Sequence, residues 1–168
     1  KVDALSDDEK NILYQTIGLG ALKYFLLKVE PKKRLLFDPN ESIDFQGNTG
    51  PFIQYTHARI QSILVKANYE STNSGSLVKL GTLERDLLVL LAKYPAVIEV
   101  AAKEYSPAQV ANYIFELAKL YSKFYHEEPI LKEEDGALRQ FRLHVSAATA
   151  AVIKKGMLLL GIVVPDSM

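Results

Sequence analysis

The sequence contains no cysteine, and its charges cancel. Twenty Lys and Arg residues balance twenty Asp and Glu residues over a length of 168. Without cysteine, disulfides and thiolate zinc sites are excluded, and His57, His126 and His144 are too scattered to indicate a metal-ligand set. A net charge of zero argues against a domain that holds duplex nucleic acid by bulk charge, since such domains are usually strongly basic. Any contact with nucleic acid should therefore be local.

Long apolar segments are also missing. The most apolar stretch, residues 147–164, is interrupted by Lys154 and Lys155 and indicates an amphipathic helix rather than a membrane span. No charged-then-apolar signal segment opens the chain. We therefore expect a cytoplasmic protein without membrane contact, and the 48% hydrophobic content is ample for a sizeable core.

Motifs that carry chemistry are absent as well. The sequence has no Gly-rich phosphate loop followed by Lys-Ser or Lys-Thr, no Ser/His/Asp grouping with supporting context, and no close carboxylate pair in an apolar setting. We therefore predict no catalytic residues, no cofactor-binding residues and no metal site. What remains is binding.

Helix signals run through nearly the whole chain. The run 6–9 has the form of a capping box and predicts a helix that continues to before Pro31, with a weak point at Gly18 and Gly20. Thr82 is expected to cap a helix over 83–93, with a further helix over 96–104. A second capping box at 106–109 predicts a helix with the apolar stripe Val110, Ile114, Leu117, Tyr121 and Phe124.

The remaining segments complete an all-α prediction. The short run 34–37 could be extended but has no obvious strand partner, and residues 68–81 read as a surface loop. A last helix is predicted over 138–160, and Gly161 can end it in the left-handed conformation. Helices joined by short loops, with one longer loop, predict a helical bundle.

One predicted helix concentrates aromatic and cationic side chains. Asn48 or Thr49 can cap it, and a proline suits its first turn. Phe52, Tyr55, Arg59 and Ser62 then recur at three- and four-residue spacing, which places them on one face. No Asp or Glu occurs between residues 48 and 68, so this helix is locally positive. Such a face suits unpaired RNA bases, although ordinary core packing of the aromatics is the alternative.

The same stretch carries a resemblance to a known family. Residues 18–66, with Gly-Leu-Gly-Ala-Leu-Lys-Tyr-Phe, Leu-Phe-Asp-Pro and Asn-Thr-Gly-Pro-Phe-Ile-Gln-Tyr-Thr-His-Ala-Arg-Ile, resemble arginyl-tRNA synthetases after their second ATP-binding signature. Glu116-Leu117-Ala118, Phe124-Tyr125, Arg142-Leu143 and the closing Leu160-Gly161-Ile162 resemble their anticodon-binding DALR domain. The resemblance implies the all-α anticodon-binding domain of a class I aminoacyl-tRNA synthetase.

This resemblance also implies that the chain contains parts of two domains. Residues 1–47 would be the end of the catalytic core with its connecting helices, and residues 48–168 the DALR domain. The chain starts at Lys1 and lacks both ATP signatures of the family, so we expect a fragment that is inactive alone. Its expected partners are tRNA(Arg) and the rest of the synthetase chain, and the longer enzyme, expected to be a monomer, would use ATP with Mg²⁺ to attach arginine.

Four residues follow from the resemblance as candidate tRNA contacts. Tyr55 matches the tyrosine of the Gln-Tyr-Thr-His-Ala-Arg run in arginyl-tRNA synthetases, and Arg59 matches the arginine that follows it by one helical turn. Tyr121 matches a second aromatic contact, with core packing as the alternative. Met168 matches a terminal methionine that packs near the anticodon loop, with a frayed terminus as the alternative.

Other residues near these motifs have less specific interpretations. Phe52 lacks the hydroxyl of the tyrosine that many relatives carry after Gly-Pro and should serve as support. His57 is expected to be a core or supporting histidine, and the cluster 32–34 either touches tRNA backbone or forms a solvated turn. A different class of function also stays open: a helical protein–protein module that docks through the leucine-rich run 87–91.

Overall fold

The computed structural model describes residues 6–71 and 78–168, and these residues contain helices and no strand. The all-α prediction is confirmed. The helices are α1 (Asp7–Leu27), α2 (Pro39–Ser42), α3 (Gly50–Lys66), α4 (Thr82–Ala92), α5 (Tyr94–Glu104), α6 (Pro107–Glu127) and α7 (Gly136–Leu159).

Several helix ends are those predicted from local signals. The Ser6 hydroxyl accepts from the Glu9 N–H while Glu9 accepts from the Ser6 N–H, which completes the capping box. Thr49 caps α3 by accepting from the Phe52 N–H, with proline in the first turn. At the other end of the chain Gly161 follows α7 with φ +68°, a conformation that glycine adopts without strain.

Two predicted caps are wrong. Gly81, not Thr82, occupies the N-cap of α4, and it makes no side-chain cap. At α6, Ser106 is the N-cap residue, but its hydroxyl donates to Glu30 Oε1 at 2.8 Å instead of accepting from the helix. A hydrogen bond to a carboxylate is stronger than one between neutral groups, so this tertiary contact displaces the local one.

The two glycines of α1 do not break it. A Cβ on Gly20 would lie 2.5 Å from Gln54 Nε2, and a Cβ on Gly50 would lie 2.6 Å from the Gly20 carbonyl oxygen. The expected weak point is therefore wrong at Gly20, where the missing side chain lets α1 and α3 approach each other closely. A Cβ on Gly18 would meet nothing within 4 Å.

The remaining boundaries need small corrections. Residues 34–38 are irregular, and the unpredicted α2 follows them, capped by Asp38, which accepts from two backbone N–H groups. The last helix begins at Gly136 rather than residue 138 and ends at Leu159. In the predicted loop 68–81, residues 72–77 lie outside the described residues.

The core lies around α6, which packs against α1, α3, α4, α5 and α7. Its apolar stripe is fully buried and faces inward over the whole helix. α3 packs against α1, α6 and α7 through Ile53, Ile60 and Ile63, which leaves one side of α3 free to face solvent. That side carries the candidate site.

Candidate nucleic-acid interface

A stacked cluster of one cation and two aromatic rings lies on the outer side of α3. The guanidinium carbon of Arg59 lies 4.7 Å from the centroid of the Tyr55 ring and 4.9 Å from that of the Tyr125 ring. Phe45 contacts the Tyr55 ring edge to face at 6.3 Å. Tyr55 and Tyr125 are 40% and 38% exposed. The cluster therefore presents planar groups to solvent while its members hold each other in place by cation–π and edge contacts.

This cluster separates two open clefts. The larger, of about 790 Å³, lies between α3, the end of α6 and the segment 128–132. The second, of about 710 Å³, lies between α3, α1 and residues 45–46. The side chains that border both clefts form the ridge between them: Tyr55, Arg59, His126 and Met168. Each cleft is large enough for a nucleotide base.

Met168 lies at this ridge and is only partly exposed. The structure therefore brings three of the four candidate residues together: Tyr55, Arg59 and Met168. Met168 is more than a hundred residues from Tyr55 and Arg59 along the chain, so only folding could bring it to them.

Tyr121 is placed elsewhere. Its ring is fully buried at 0% exposure, and its hydroxyl donates to Ser146 Oγ at 2.9 Å. Burial raises the pKa of the Tyr121 hydroxyl, an effect that the nearby Arg59 opposes. A base cannot reach this ring in the observed conformation, so the expectation of a surface contact is corrected to core packing. The reason is the α6 stripe, which turns Tyr121 inward with Leu117 and Phe124.

Tyr125 is the site residue that motif reasoning missed. It lies one turn after Tyr121 on α6, directly after the buried Phe124, and its own ring is partly exposed. His126, Lys66 and Lys132 also line the larger cleft and were not predicted as contacts. The available signal was the pair of adjacent aromatics at 124–125, of which only one can lie on the apolar stripe.

The wall of the larger cleft opposite α3 is held by a buried arginine. Arg142 donates to Glu84 Oε1 at 2.9 Å, Glu128 Oε2 at 2.7 Å and Glu133 Oε2 at 2.9 Å, and also to the Pro129 carbonyl at 2.7 Å. Three of these acceptors belong to the segment between α6 and α7, residues 128–135. Arg142 thus orders the segment that faces Tyr55 and Arg59 across the cleft.

The structure also places Phe52, His57 and the basic cluster 32–34. Phe52 is half-buried and packs against Phe115 with ring centroids 5.7 Å apart, which agrees with a supporting role. His57 is fully buried, as expected for a core histidine. Lys32, Lys33 and Arg34 are exposed in the turn after α1, away from both clefts.

A leucine-rich docking face, a metal site or a membrane-spanning helix in residues 6–71 and 78–168 would each indicate another class of function. Leu87 of the leucine-rich run is fully buried, and Leu88 and Val89 of that run are exposed. No group of three His, Cys, Asp or Glu side chains in these residues could hold a metal ion. None of their helices combines the length and apolarity that a bilayer span needs.

The whole chain is similar in sequence to part of known proteins. The arginine–tRNA ligase of Flavobacterium psychrophilum is 54% identical over 168 residues, which are 100% of this chain and 28% of that protein. That of Parabacteroides distasonis is 48% identical, again over the whole chain and over 29% of that protein. The chain thus spans less than a third of the length of these relatives.

Solved structures show the same arrangement of helices. Thermus thermophilus arginyl-tRNA synthetase matches 99% of this chain with a TM-score of 0.90 and 32% identity, over 29% of its own chain. The Plasmodium falciparum arginyl-tRNA synthetase matches 95% of this chain and 28% of its own with a TM-score of 0.85, and at 24% identity it shows the fold alone. The DALR anticodon binding domain matches residues 53–168, which include the whole ridge. The chain therefore belongs to the DALR anticodon binding domain family.

Proposed function

We propose that this chain binds the anticodon loop of tRNA(Arg) and is part of a longer arginine–tRNA ligase. The observation that carries the proposal is the Arg59 guanidinium held between two exposed tyrosine rings on the ridge between two clefts. Membership of the DALR family and the similarity to arginine–tRNA ligases support both the kind of ligand and the longer enzyme.

The physical basis is recognition of unpaired bases. An anticodon loop offers exposed base faces, and stacking on an aromatic ring contributes about 1–3 kcal/mol per base. Tyr55 and Tyr125 offer such rings, and Arg59 can stack or donate to a base edge or phosphate. Lys66 and Lys132 line the larger cleft, where they can meet the backbone of the loop. Met168 lines both clefts and can offer the loop an apolar contact beside Tyr55 and Arg59.

In the longer enzyme this chain would supply positioning rather than chemistry. ATP with Mg²⁺ and arginine would be bound elsewhere in that enzyme, because the sequence lacks both ATP signatures. Residues 1–47 would join the catalytic core to residues 48–168, and the enzyme would act as a cytoplasmic monomer. We accordingly expect no arginine-dependent ATP–pyrophosphate exchange by this chain alone, and measurable exchange would contradict that expectation.

The direct test is binding of a tRNA(Arg) anticodon stem-loop, measured by fluorescence anisotropy at moderate salt. We expect Arg59→Ala and Tyr55→Leu each to raise Kd about tenfold, which corresponds to about 1.4 kcal/mol. Tyr55→Phe should bind almost as well as the original chain, because the ring is kept. Arg85→Ala removes the same charge from an exposed position on α4 and should leave Kd unchanged. Equal and negligible binding by all of these proteins would contradict the proposal.

A further inference from the structure

The last residues of the chain run along α1 and α3 as an irregular segment, residues 161–168, here called the tail. Ile162 and Val164 of the tail point into the core and are buried, while Val163 between them is exposed. This alternation is that of an extended chain, in which successive side chains face opposite ways. The tail has no neighbouring strand among the described residues to bond its backbone, so its carbonyl groups need other partners.

Three side-chain donors meet three alternate carbonyls of the tail. Lys23 Nζ donates to the Gly161 oxygen at 2.6 Å, and Gln54 Nε2 donates to the Val163 oxygen at 2.7 Å. His57 Nδ1 lies 3.0 Å from the Pro165 oxygen. Gln54 and His57 are both fully buried, and they reach the part of the tail nearest to Met168.

The protonation of His57 follows from its neighbours. A carbonyl oxygen can only accept, so Nδ1 carries the hydrogen in this contact. Nε2 is then free to accept from Gln61 Nε2 at 3.3 Å. Burial lowers the pKa of His57. The hydrogen bond to Pro165 and the carboxylate of Asp166 oppose this shift, while Lys154 adds to it, and the neutral form is favoured. Neutral His57 therefore has one donor, and that donor is used on the tail.

We propose that Gln54 and His57 are positioning residues: they fix the tail through the Val163 and Pro165 carbonyls and thereby hold Met168 at the ridge beside Tyr55 and Arg59. The value of this arrangement for RNA binding rests on the proposed function. On α3, Gln54 and His57 are interleaved with Tyr55 and Arg59, so one helix both presents the binding side chains outward and anchors the tail inward. Assembly of the ridge thus depends on hydrogen bonds from buried side chains as well as on exposed groups.

A competing explanation is that the buried side chains of Ile162 and Val164 place the tail by themselves. The two explanations differ in what they expect of Met168. Apolar anchoring ends at Val164, four residues before Met168, and leaves Met168 free to move. The hydrogen bond at Pro165 extends the fixed segment beyond that point.

The chain contains only two methionines, Met157 and Met168, so ¹³C-methyl-methionine NMR reports on both separately. Met157 is fully buried and monitors the core, while Met168 monitors the tail. Met168→Leu assigns the two signals. In the unmodified chain we expect a Met168 methyl signal shifted from the value of a free peptide and with the fast transverse relaxation of an ordered side chain. A Met168 methyl as mobile as that of a disordered terminus would overturn the proposal, and this check needs no variant to fold.

The variants test the donors themselves. His57→Leu and Gln54→Leu should move the Met168 signal to the free-peptide position while leaving the Met157 signal unchanged. His57→Asn, whose amide nitrogen can take the place of Nδ1, should restore the held Met168 signal. A held Met168 in His57→Leu and Gln54→Leu, with Met157 unchanged, would show that apolar anchoring suffices and overturn the proposal.

Binding of the anticodon stem-loop separates this proposal from the function on which it rests. His57→Leu should raise Kd by the same factor as Met168→Ala, about three- to tenfold, and His57→Asn should restore the affinity. If the Met168 signal responds as expected and no version of the chain binds RNA, the positioning role stands and the proposed function fails. If RNA binds and Met168 is mobile in the unmodified chain, the proposed function stands and the positioning role fails.

Discussion

Single residues in this protein acquire different roles although they are neighbours in sequence. On α3, Tyr55 and Arg59 face solvent while Gln54 and His57 are fully buried, because successive helical residues point about 100° apart. A substitution at one of these positions therefore tests a different property from a substitution at the next. Binding should respond to the outer pair directly and to the inner pair through the tail.

His57 predicts a specific dependence of stability on pH. Its pKa is lowered in the folded protein from an ordinary value of about 6.5. Below that value the unfolded chain binds a proton that the folded chain resists, so stability should fall as pH decreases from about 6.5 and be fully present above it. His57→Asn removes this group and should show a shallower loss between pH 6.5 and 5 in urea unfolding. Parallel curves for the two proteins would contradict the role of this histidine.

Arg142 predicts a large loss of stability on truncation. Its guanidinium is the partner of Glu84, which is fully buried and already has Oε2 without a hydrogen-bond partner. Arg142→Ala leaves a buried carboxylate without compensation, a change that typically costs about 3–5 kcal/mol. Urea unfolding measures this. Arg139→Ala, in the same helix but exposed, should cost less than about 0.5 kcal/mol, and equal losses would refute the distinction.

At the scale of elements, the contact between α1 and α3 sets where the site can form. These helices approach through Gly20 and Gly50, and Tyr24 of α1 adds a hydroxyl 2.6 Å from Asn48 Oδ1 just before α3 begins. The segment between α6 and α7 is fixed independently through Arg142. The elements that line the two clefts are therefore fixed by contacts on their other sides: α1 and α3 by each other, and the segment between α6 and α7 by Arg142.

Gly50→Ala tests this helix contact. The added Cβ would lie 2.6 Å from the backbone oxygen of Gly20, which no side-chain movement can relieve. We expect a loss of about 1–3 kcal/mol, the usual range for overpacking. Gly18→Ala adds the same methyl group to α1 where nothing lies within 4 Å, and it should instead stabilise by up to about 1 kcal/mol through helix propensity. Thermal unfolding of both variants provides the measurement; a neutral Gly50→Ala would mean that the helices can separate freely.

At the scale of the whole molecule, the charges cancel, and the larger cleft itself is lined by cations together with two carboxylates, Glu127 and Glu128. Arg59, Lys66 and Lys132 line the larger cleft, in a chain with a formal net charge of zero. Affinity should therefore depend on a few placed groups, with little contribution from a general positive field.

The salt dependence of binding measures this difference. Release of counterions from single-stranded nucleic acid contributes a slope of about −0.7 per phosphate contact in log K against log salt. Three cations at the cleft predict a slope of about −2 for the anticodon stem-loop, and Lys66→Ala should make it shallower by about 0.7. Titrations between 50 and 300 mM salt suffice. A slope steeper than about −5 would indicate a broad electrostatic footprint and contradict a local site.

Much of the fold could be predicted from sequence because its determinants are local. Caps such as Ser6 and Thr49, and the apolar stripe of α6, act within a few residues and predict helices without knowledge of their partners. Ser106 shows where this reasoning fails. Its cap signal is as good as that of Ser6, but folding brings Glu30 to its hydroxyl, and the tertiary partner prevails.

The candidate site likewise combines residues that local sequence patterns predict with residues that only tertiary contacts place. Spacing alone placed Tyr55 and Arg59 on one helix face, and the resemblance to a family added Met168 to them. For Tyr121 the apolar stripe of α6 already indicated core packing, whereas the exposure of Tyr125, four residues later, depends on how the neighbouring helices pack. The structure buries the first and exposes the second beside Arg59.

The sequence by itself therefore determined the helical class, several helix ends and the cation and tyrosine of α3, since these follow from hydrogen bonding and periodicity within one segment. Only the tertiary structure decided that Tyr125 lies exposed beside Arg59, that Arg142 orders the opposite wall, and that the tail carries Met168 to the ridge with Tyr55. Each of these depends on contacts between residues far apart in the chain, where burial and hydrogen-bond satisfaction act on groups that no local pattern brings together.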